Sequence, residues 1–364
     1  MLIFLSILFL VILAVFIFLR LPRFGKLPSG DRLKKISQSP NYKNGQFQNL
    51  SDTPMITEGV GFFSVLQQFL FDKKTRVKPV DTIPSVKTDL LNLDPAKDVL
   101  VWFGHSSYFM QVDGKKILVD PVFSTAASPV SFNIKAFNGT NIYTPDDIPE
   151  IDFLFITHDH WDHLDYKTIK ALKPKIKSII CALGVGEHLE RWGFDKIIIN
   201  EQNWNEEINL GDGFAINTVA ARHFSGRGFV RNKSIWVSFV LKTPTMKIFI
   251  GGDSGYDTHF PEIGNTYGPF DLAILENGQY NKNWKYIHMQ PSETLQAATD
   301  LQAKRLFPVH NSKFPLSVHP WDEPLKIITE LNKEVKLNLA TPMIGEELFL
   351  KDSDQEFSKW WEGV

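Results

Sequence analysis

Cysteine is almost missing from this chain: Cys181 is the single one in 364 residues. No internal disulfide can form, and a zinc site built from several thiolates is excluded. Any bound metal must be held by imidazole and carboxylate, and ten histidines are available for that work. A lone cysteine fits a reducing cytoplasm without establishing it. Net charge is equally scarce. Lys plus Arg number 39 against 41 Asp plus Glu, a balance of −2, so no global positive field draws nucleic acid to the chain. Internal repeats and low-complexity tracts are absent. With 43% hydrophobic and 22% charged residues, the chain is neither disordered nor fibrous, and it is long enough for one large domain or two small ones.

What is present begins with Leu2 to Leu19, apolar throughout except for Ser6. At about 1.5 Å per residue, a helix of this length crosses most of a hydrocarbon core roughly 30 Å thick. No basic residue precedes the run and no small-x-small pattern follows it, which favours a retained membrane helix over a cleaved leader. Arg20, Arg23 and Lys26 come directly afterwards, and positive charge on that side predicts a cytoplasmic main domain. The organisation expected is a transmembrane anchor at 1–21, a lead-in segment at 22–95, a main domain at 96–350 and a C-terminal tail at 351–364.

Pro28, Pro40, Pro54, Pro79 and Pro84 break up the lead-in segment. Within it, Phe62, Val65, Leu66, Phe69 and Leu70 recur at helical spacing, predicting an amphipathic helix packed on the main domain, with a lipid-surface or substrate-entry helix as the alternative. From residue 99 onward the texture changes to short strands separated by Gly, Asp and Asn turns. Strands are predicted at 99–103, 108–112 and 116–119, the last two joined by a tight turn at Asp113-Gly114. Others are predicted at 153–156, 178–182, 196–199, 214–219, 236–241, 247–250 and 272–275. Helical patterns at 166–172, 186–192, 291–301 and 324–331 lie between and after them. Strands and helices mixed over this length indicate a layered α/β architecture, sheets inside and helices outside.

The sharpest feature is His158-Asp159-His160-Trp161-Asp162-His163, placed directly after the apolar stretch 153–157. A strand followed by a tight loop turns alternate side chains to one side. His158 and His160 can then grip one metal while Asp162 and His163 curl round to a second. A single histidine is usually a satisfied polar or core residue, but so many imidazoles packed together without an ion would be costly to desolvate. Further ligands stand at strand ends. His223 follows 214–220, Asp253 follows 247–250 through Gly251-Gly252, and His310 follows 306–309. The paired glycines permit the close backbone approach needed where a carboxylate reaches between two ions.

In this order the residues resemble the metallo-β-lactamase superfamily of dinuclear metallohydrolases. Within it they are most similar to the N-acylphosphatidylethanolamine-hydrolysing phospholipase D family and its bacterial relatives. Besides the metal loop, which continues through Leu164-Asp165, the resemblance is carried by Trp102-Phe103-Gly104-His105, Asp120-Pro121-Val122-Phe123-Ser124, Gly252-Asp253-Ser254-Gly255-Tyr256 and Gly268-Pro269-Phe270-Asp271. It implies a four-layer αββα sandwich behind the N-terminal membrane helix, with the metals at one edge of the two sheets. It implies two Zn2+ ions: His158, His160 and His223 on the first, Asp162, His163 and His310 on the second, and Asp253 on both. Asp162 would ligate, orient the attacking water, or do both. The reaction implied is hydrolysis of an N-acylphosphatidylethanolamine-like phosphodiester by a metal-bridging hydroxide, with no covalent enzyme intermediate. A functional histidine is expected in the segment Tyr286-Ile287-His288, so His288 is the candidate for substrate contact or proton transfer. His105 either supports the site from beneath or makes an ordinary strand-end hydrogen bond.

Two segments depart from the family pattern. Residues Ala273 to Tyr280 differ from the animal enzymes and bring Glu276 close to the metal rim in sequence order. Arg222, Arg227 and Arg231, around the stretch after His223, read as solvated loop charges, with forked binding of a phosphate as the alternative. His160 stands where oxygen-reducing di-iron members carry Glu, which favours hydrolysis. Cys181 follows a different strand from the thiolate ligand of the β-lactamases and reads as a buried small residue. The alternative enzyme is a lactonase or other ester hydrolase on the same dinuclear site. The alternative class is a non-catalytic, membrane-tethered metal-binding protein. Expected partners are the membrane and a phospholipid or other small ester or diester substrate, with no nucleic acid and a homodimer left open.

Overall fold

The computed structural model describes residues 1–364 apart from 62, 64–66 and 68–74. The amphipathic helix expected at Phe62, Val65, Leu66, Phe69 and Leu70 lies outside the described residues. Helix α1 (Leu2–Leu19) carries the apolar run and buries none of its side chains against the protein. The helix is long and apolar enough to cross a membrane. After it the chain turns back along the main body. Helix α2 (Gly30–Ser37) and the short pair β1 (Tyr42–Lys43) and β2 (Gln46–Phe47) pack down through Ile36 and Phe47, both fully buried.

Two seven-stranded sheets follow. The first contains β3 (Val99–Trp102), β4 (Tyr108–Val112), β5 (Lys115–Val119), β6 (Ile151–Ile156), β7 (Ile176–Ala182) and β8 (Ile199–Gln202), with β16 (Glu347–Phe349) on the outer side of β3. The second runs β15-β14-β13-β12-β11-β10-β9, formed by β9 (Glu206–Gly211), β10 (Phe214–Ala220), β11 (Val237–Lys242), β12 (Lys247–Ile250), β13 (Leu272–Glu276), β14 (Arg305–Val309) and β15 (Asn338–Leu339). Each sheet is antiparallel at one side and parallel at the other, with β5-β6-β7-β8 and β12-β13-β14-β15 as the parallel runs. The hairpin between β4 and β5 turns on Asp113 and Gly114, both at positive φ (45° and 77°), the backbone that an Asp-Gly turn supplies at low cost.

The sheets face one another. Phe155 of β6 meets Phe239 of β11 at a ring separation of 5.4 Å, and Phe153 meets Phe214 at 6.3 Å. Helices α3 (Tyr166–Leu172) and α4 (Gly186–Arg191) cover the first sheet. Helices α5 (His259–Tyr267), α6 (Pro291–Asp300) and α7 (Glu323–Val335) cover the second, with Phe249, Phe260, Leu295 and Ile328 in the layer between. This is the four-layer αββα sandwich. Predicted residues 196–199 do not form a strand. Asp195 accepts from the Ile197 N–H and tightens Lys196–Ile198 into a 3-10 turn, so β8 begins at Ile199.

Ile83 and Leu90 of the lead-in are buried in the main core, as are Trp360 and Trp361 of the C-terminal segment. Trp360 lies 6.3 Å from Trp102 and donates its indole N–H to Thr341 O at 3.1 Å. The part of the fold that matters for chemistry is the edge where strands end: β5 before Asp120, β6 before His158, β10 before His223, β12 before Asp253 and β14 before His310.

Candidate metal centre

Loops leaving those strand ends bring all seven predicted ligands together. His158 Nε2 and His160 Nδ1 are 2.9 Å apart, and His223 Nε2 is 3.1 Å from the same His160 nitrogen. Burial drives down the pKa of each ring, to about 4 for His160 and well below the usual value for His158 and His223. The neighbouring imidazoles push His158 and His223 further the same way, while Asp162 and Asp159 pull His160 back. Three neutral imidazoles with converging nitrogens form a donor set suited to a transition metal.

A second group, His105, Asp162, His163 and His310, gathers beside the first. Asp253 stands between the two. Its Oδ1 lies 3.1 Å from both His163 Nε2 and His310 Nδ1, while its Oδ2 lies 3.6 Å from His223 Nε2 and 3.8 Å from His158 Nε2. His163 Nε2, His160 Nε2 and Asp253 Oδ1 are buried without a hydrogen-bond partner. Such atoms are rare unless something else satisfies them. Burial pushes the Asp253 carboxyl up to about 6, even against the pull of His163. A cation held between the two groups would stabilise the ionised form and satisfy the orphaned atoms, so the residues fit bound metal.

Four of the ligands, His163, His223, His310 and Asp162, have further polar partners. Asp120 Oδ2 meets His163 Nδ1 at 2.8 Å and accepts the Thr157 hydroxyl at 2.6 Å, while its Oδ1 accepts the Thr157 N–H at 2.9 Å. His223 Nδ1 sits 2.9 Å from Ile287 O, and His310 Nδ1 is 3.0 Å from Ser106 Oγ. His105 is fully buried with Nε2 2.8 Å from Asp162 Oδ2, so it supports the site instead of closing an ordinary strand end. Contacts of this kind fix ring orientation and tautomer. Burial would raise the Asp162 carboxyl, but His163 and His105 hold it well below the carboxylate range.

His288 joins the rim with its ring 5.1 Å from those of both His223 and His310. Its Nδ1 lies 2.6 Å from Glu276 Oε2, and Glu276 Oε1 accepts the N–H groups of Ser254 and Met289 at 3.1 and 3.0 Å. Burial pushes Glu276 well above its usual pKa despite those two donors.

Above the cluster opens a cavity of about 880 Å³, its floor including His160, Asp162, His223, Asp253, His288 and His310. The walls are largely apolar, from Trp161, Phe224, Ile134, Ile287 and Leu316. They also include Phe18 and Leu19 from the end of α1, and Phe24 just beyond it. Phe24 packs edge-on against Trp161 with the rings 5.2 Å apart and makes a similar contact with Phe18.

The arginines differ from expectation. Arg227 is not a solvated charge: only 4% exposed, it donates to Asp159 O and Leu164 O and lies 4.0 Å over the Trp161 ring. Arg222 binds Asp52 O, Thr53 Oγ1 and Tyr256 O. Both are drawn in by unpaired carbonyls of distant segments, a demand invisible in local sequence. Arg231 is exposed and lines the cavity. Cys181 is buried, and burial raises its thiol pKa. Asp120 and Asp159 stand within the quoted motifs but received no role of their own from sequence; the structure sets them against His163 and His188.

Comparison with known proteins gives a consistent picture. The beta-lactamase superfamily domain matches residues 115–311. An uncharacterised protein of Mycobacterium bovis is 34% identical over 332 residues, 89% of this chain and 88% of its own length. The N-acyl-phosphatidylethanolamine-hydrolyzing phospholipase D 1 of Caenorhabditis elegans is 29% identical over 269 residues, 67% of this chain and 74% of that protein. Among solved structures, a metallo hydrolase from the archaeon Ignicoccus hospitalis shares the fold with a TM-score of 0.54 at 20% identity, over 70% of this chain and 98% of its own.

Proposed function

The chain belongs to the beta-lactamase superfamily of metal-dependent hydrolases, and from that premise we propose that it is a phospholipase D-type phosphodiesterase acting on N-acylphosphatidylethanolamine-like lipids. The observation that carries this reading is the position of the metal cluster at the floor of an apolar cavity whose wall includes the end of α1. A soluble polar diester has no use for such walls. Acyl chains do, and an anchor that contributes to the wall sets the cavity mouth at the lipid surface. Arg20, Arg23 and Lys26 support a cytoplasmic placement of the hydrolase body.

Two Zn2+ ions, one among His158, His160 and His223 and one among Asp162, His163 and His310 with Asp253 shared, would supply Lewis acidity at the phosphoryl oxygens and acidify water. The chain's own groups do the rest. Asp162, held ionised by His105 and His163, orients the attacking water by accepting a hydrogen bond from it. The raised pKa of Glu276 lets its carboxyl carry the proton of the 2.6 Å contact with His288 Nδ1. His288 then presents Nε2–H to the cavity, where it can protonate the departing alkoxide as its Nδ1 takes up the Glu276 proton, leaving a neutral imidazole and an ionised Glu276. Trp161, Phe224 and Ile287 exclude water around the acyl chains.

The test uses the full chain loaded with zinc and N-acylphosphatidylethanolamine in mixed micelles. Release of phosphatidic acid together with an N-acylethanolamine is the expected result. A fully metal-loaded protein that releases neither, yet opens lactones from a parallel panel, would overturn the phosphodiesterase reading and leave an ester hydrolase.

A further inference from the structure

A second cavity of about 460 Å³ lies against the metal cavity, sharing with it a wall made by Leu19, Phe24, Arg227 and Phe229. Five cationic side chains line it: Arg20, Lys26, Arg191, Arg227 and Lys233. Its single carboxylate is Asp159, which is buried and already holds His188 Nε2 at 3.2 Å, Ser234 Oγ at 3.0 Å and Gly226 N at 2.7 Å. Lys26 pairs with Glu187 at 2.5 Å. Among the described residues, Arg20, Arg191 and Lys233 have no carboxylate oxygen within 4.0 Å. Arg191 gives one N–H to Arg20 O at 2.8 Å, Lys233 donates to Gly45 O, and the Arg20 guanidinium lies over the Phe16 ring.

Part of the cavity lining is hydrocarbon, from Leu19, Phe24, Phe229 and Val230. Phe229 is 85% exposed, a large apolar side chain offered to the outside. Arg20 directly follows α1 and Arg191 donates to its carbonyl, so these cations stand where a membrane-crossing helix would leave the hydrocarbon and headgroups begin. Cations without carboxylate partners beside apolar side chains in one cavity match one ligand chemistry: a phosphate of net negative charge carrying acyl chains. A zwitterionic headgroup brings the same phosphate with its own cation, which this cavity has no free carboxylate to receive.

We propose that the cavity binds an anionic phospholipid of the leaflet in which α1 ends, with its phosphate among Arg20, Arg191 and Lys233. The inference rests on α1 being a membrane anchor, and the experiment separates the two. Full-length protein is first floated with vesicles of phosphatidylcholine alone; failure to float overturns the anchor and the site with it. Protein that floats is then extracted from equal mixtures of phosphatidylglycerol and phosphatidylcholine, and the retained lipid is identified by native mass spectrometry. The expected result is an enrichment of phosphatidylglycerol of about ten-fold. Replacing both Arg191→Gln and Lys233→Gln should bring retention close to the bilayer composition without changing metal content. Arg20→Gln, at an exposed position, provides a second variant should that pair disturb folding. Inorganic phosphate in excess should leave the lipid in place. Retention matching the bilayer in the parent protein, unchanged enrichment in the variants, or displacement by phosphate would each overturn the proposal.

Discussion

Asp120 and His163 meet through a 2.8 Å contact between Oδ2 and Nδ1, with both side chains buried. Because Thr157 donates twice to the same carboxylate, the end of β5 holds the last imidazole of the metal loop in one orientation, its Nε2 toward Asp253. Asp120→Asn keeps the shape but replaces an ionised acceptor by an amide. The expected outcome is a fall in affinity at the second metal position of about 10- to 100-fold, read by chelator competition with metal analysis. Unchanged affinity would show that the pair serves packing alone.

Glu276 and His288 predict a different signature. His288→Gln and Glu276→Gln should each lower kcat by about 100-fold while metal content stays at the level of the parent. Loss of metal in either variant would instead make these two residues ligands, since their side-chain donors lie in one group with Asp253 and His310.

Acid should loosen the lead-in segment. Arg32 of α2 bridges Glu187 at 2.5 Å, Glu190 at 2.6 Å and Glu201 at 2.6 Å. Burial alone would raise the Glu187 carboxyl, but Lys26, Arg32 and Ser29 overcome it and hold the group below its usual range. A carboxylate depressed in the folded state adds stability that is fully present above its unfolded pKa, about 4.3. That stability is lost as pH falls through the folded value. Glu187→Gln should therefore cost about 2 kcal/mol at neutral pH and progressively less below pH about 4. Urea unfolding of parent and variant at both pH values measures the difference, and a gap that does not shrink in acid would count against the pairing.

What could be read from sequence follows the range of the interactions involved. His158, His160, Asp162 and His163 declare themselves because ligand spacing is local, and His223, Asp253 and His310 because each follows a recognisable strand. The burial of Arg227 could not be read that way. Its hydrogen-bond partners at Arg23, Asp159 and Leu164 are 204, 68 and 63 residues away, and its sequence neighbours Gly226 and Gly228 suggest only a loop. Trp360 and Trp361 likewise looked like a tail because the surface they cover, around Trp102, is formed at the other end of the domain. The strand expected at 196–199 failed for a local reason, since its apolar pattern concealed the cap that Asp195 places on Ile197.

Arg227 gives the sharpest test of how the α1 end of the chain and the metal loop are joined. Its Nη1 donates to Asp159 O at 2.8 Å and Leu164 O at 2.7 Å, bracketing the metal loop. Its Nε and Nη2 both reach Arg23 O, at 3.1 and 2.9 Å, four residues beyond α1. Burial lowers its pKa to about 10, which leaves it charged at neutral pH. Alanine would strip three carbonyls of a donor, at about 1–3 kcal/mol for each one left buried and unsatisfied. A net loss of about 3 kcal/mol is expected, because water can reach part of the vacated space. Lysine restores the charge without the planar fork, so Arg227→Lys should recover only part of the stability. In both variants kcat and metal content should fall with little change in KM, the pattern of a residue that positions the loop. A raised KM at full metal occupancy would assign the guanidinium to the substrate instead.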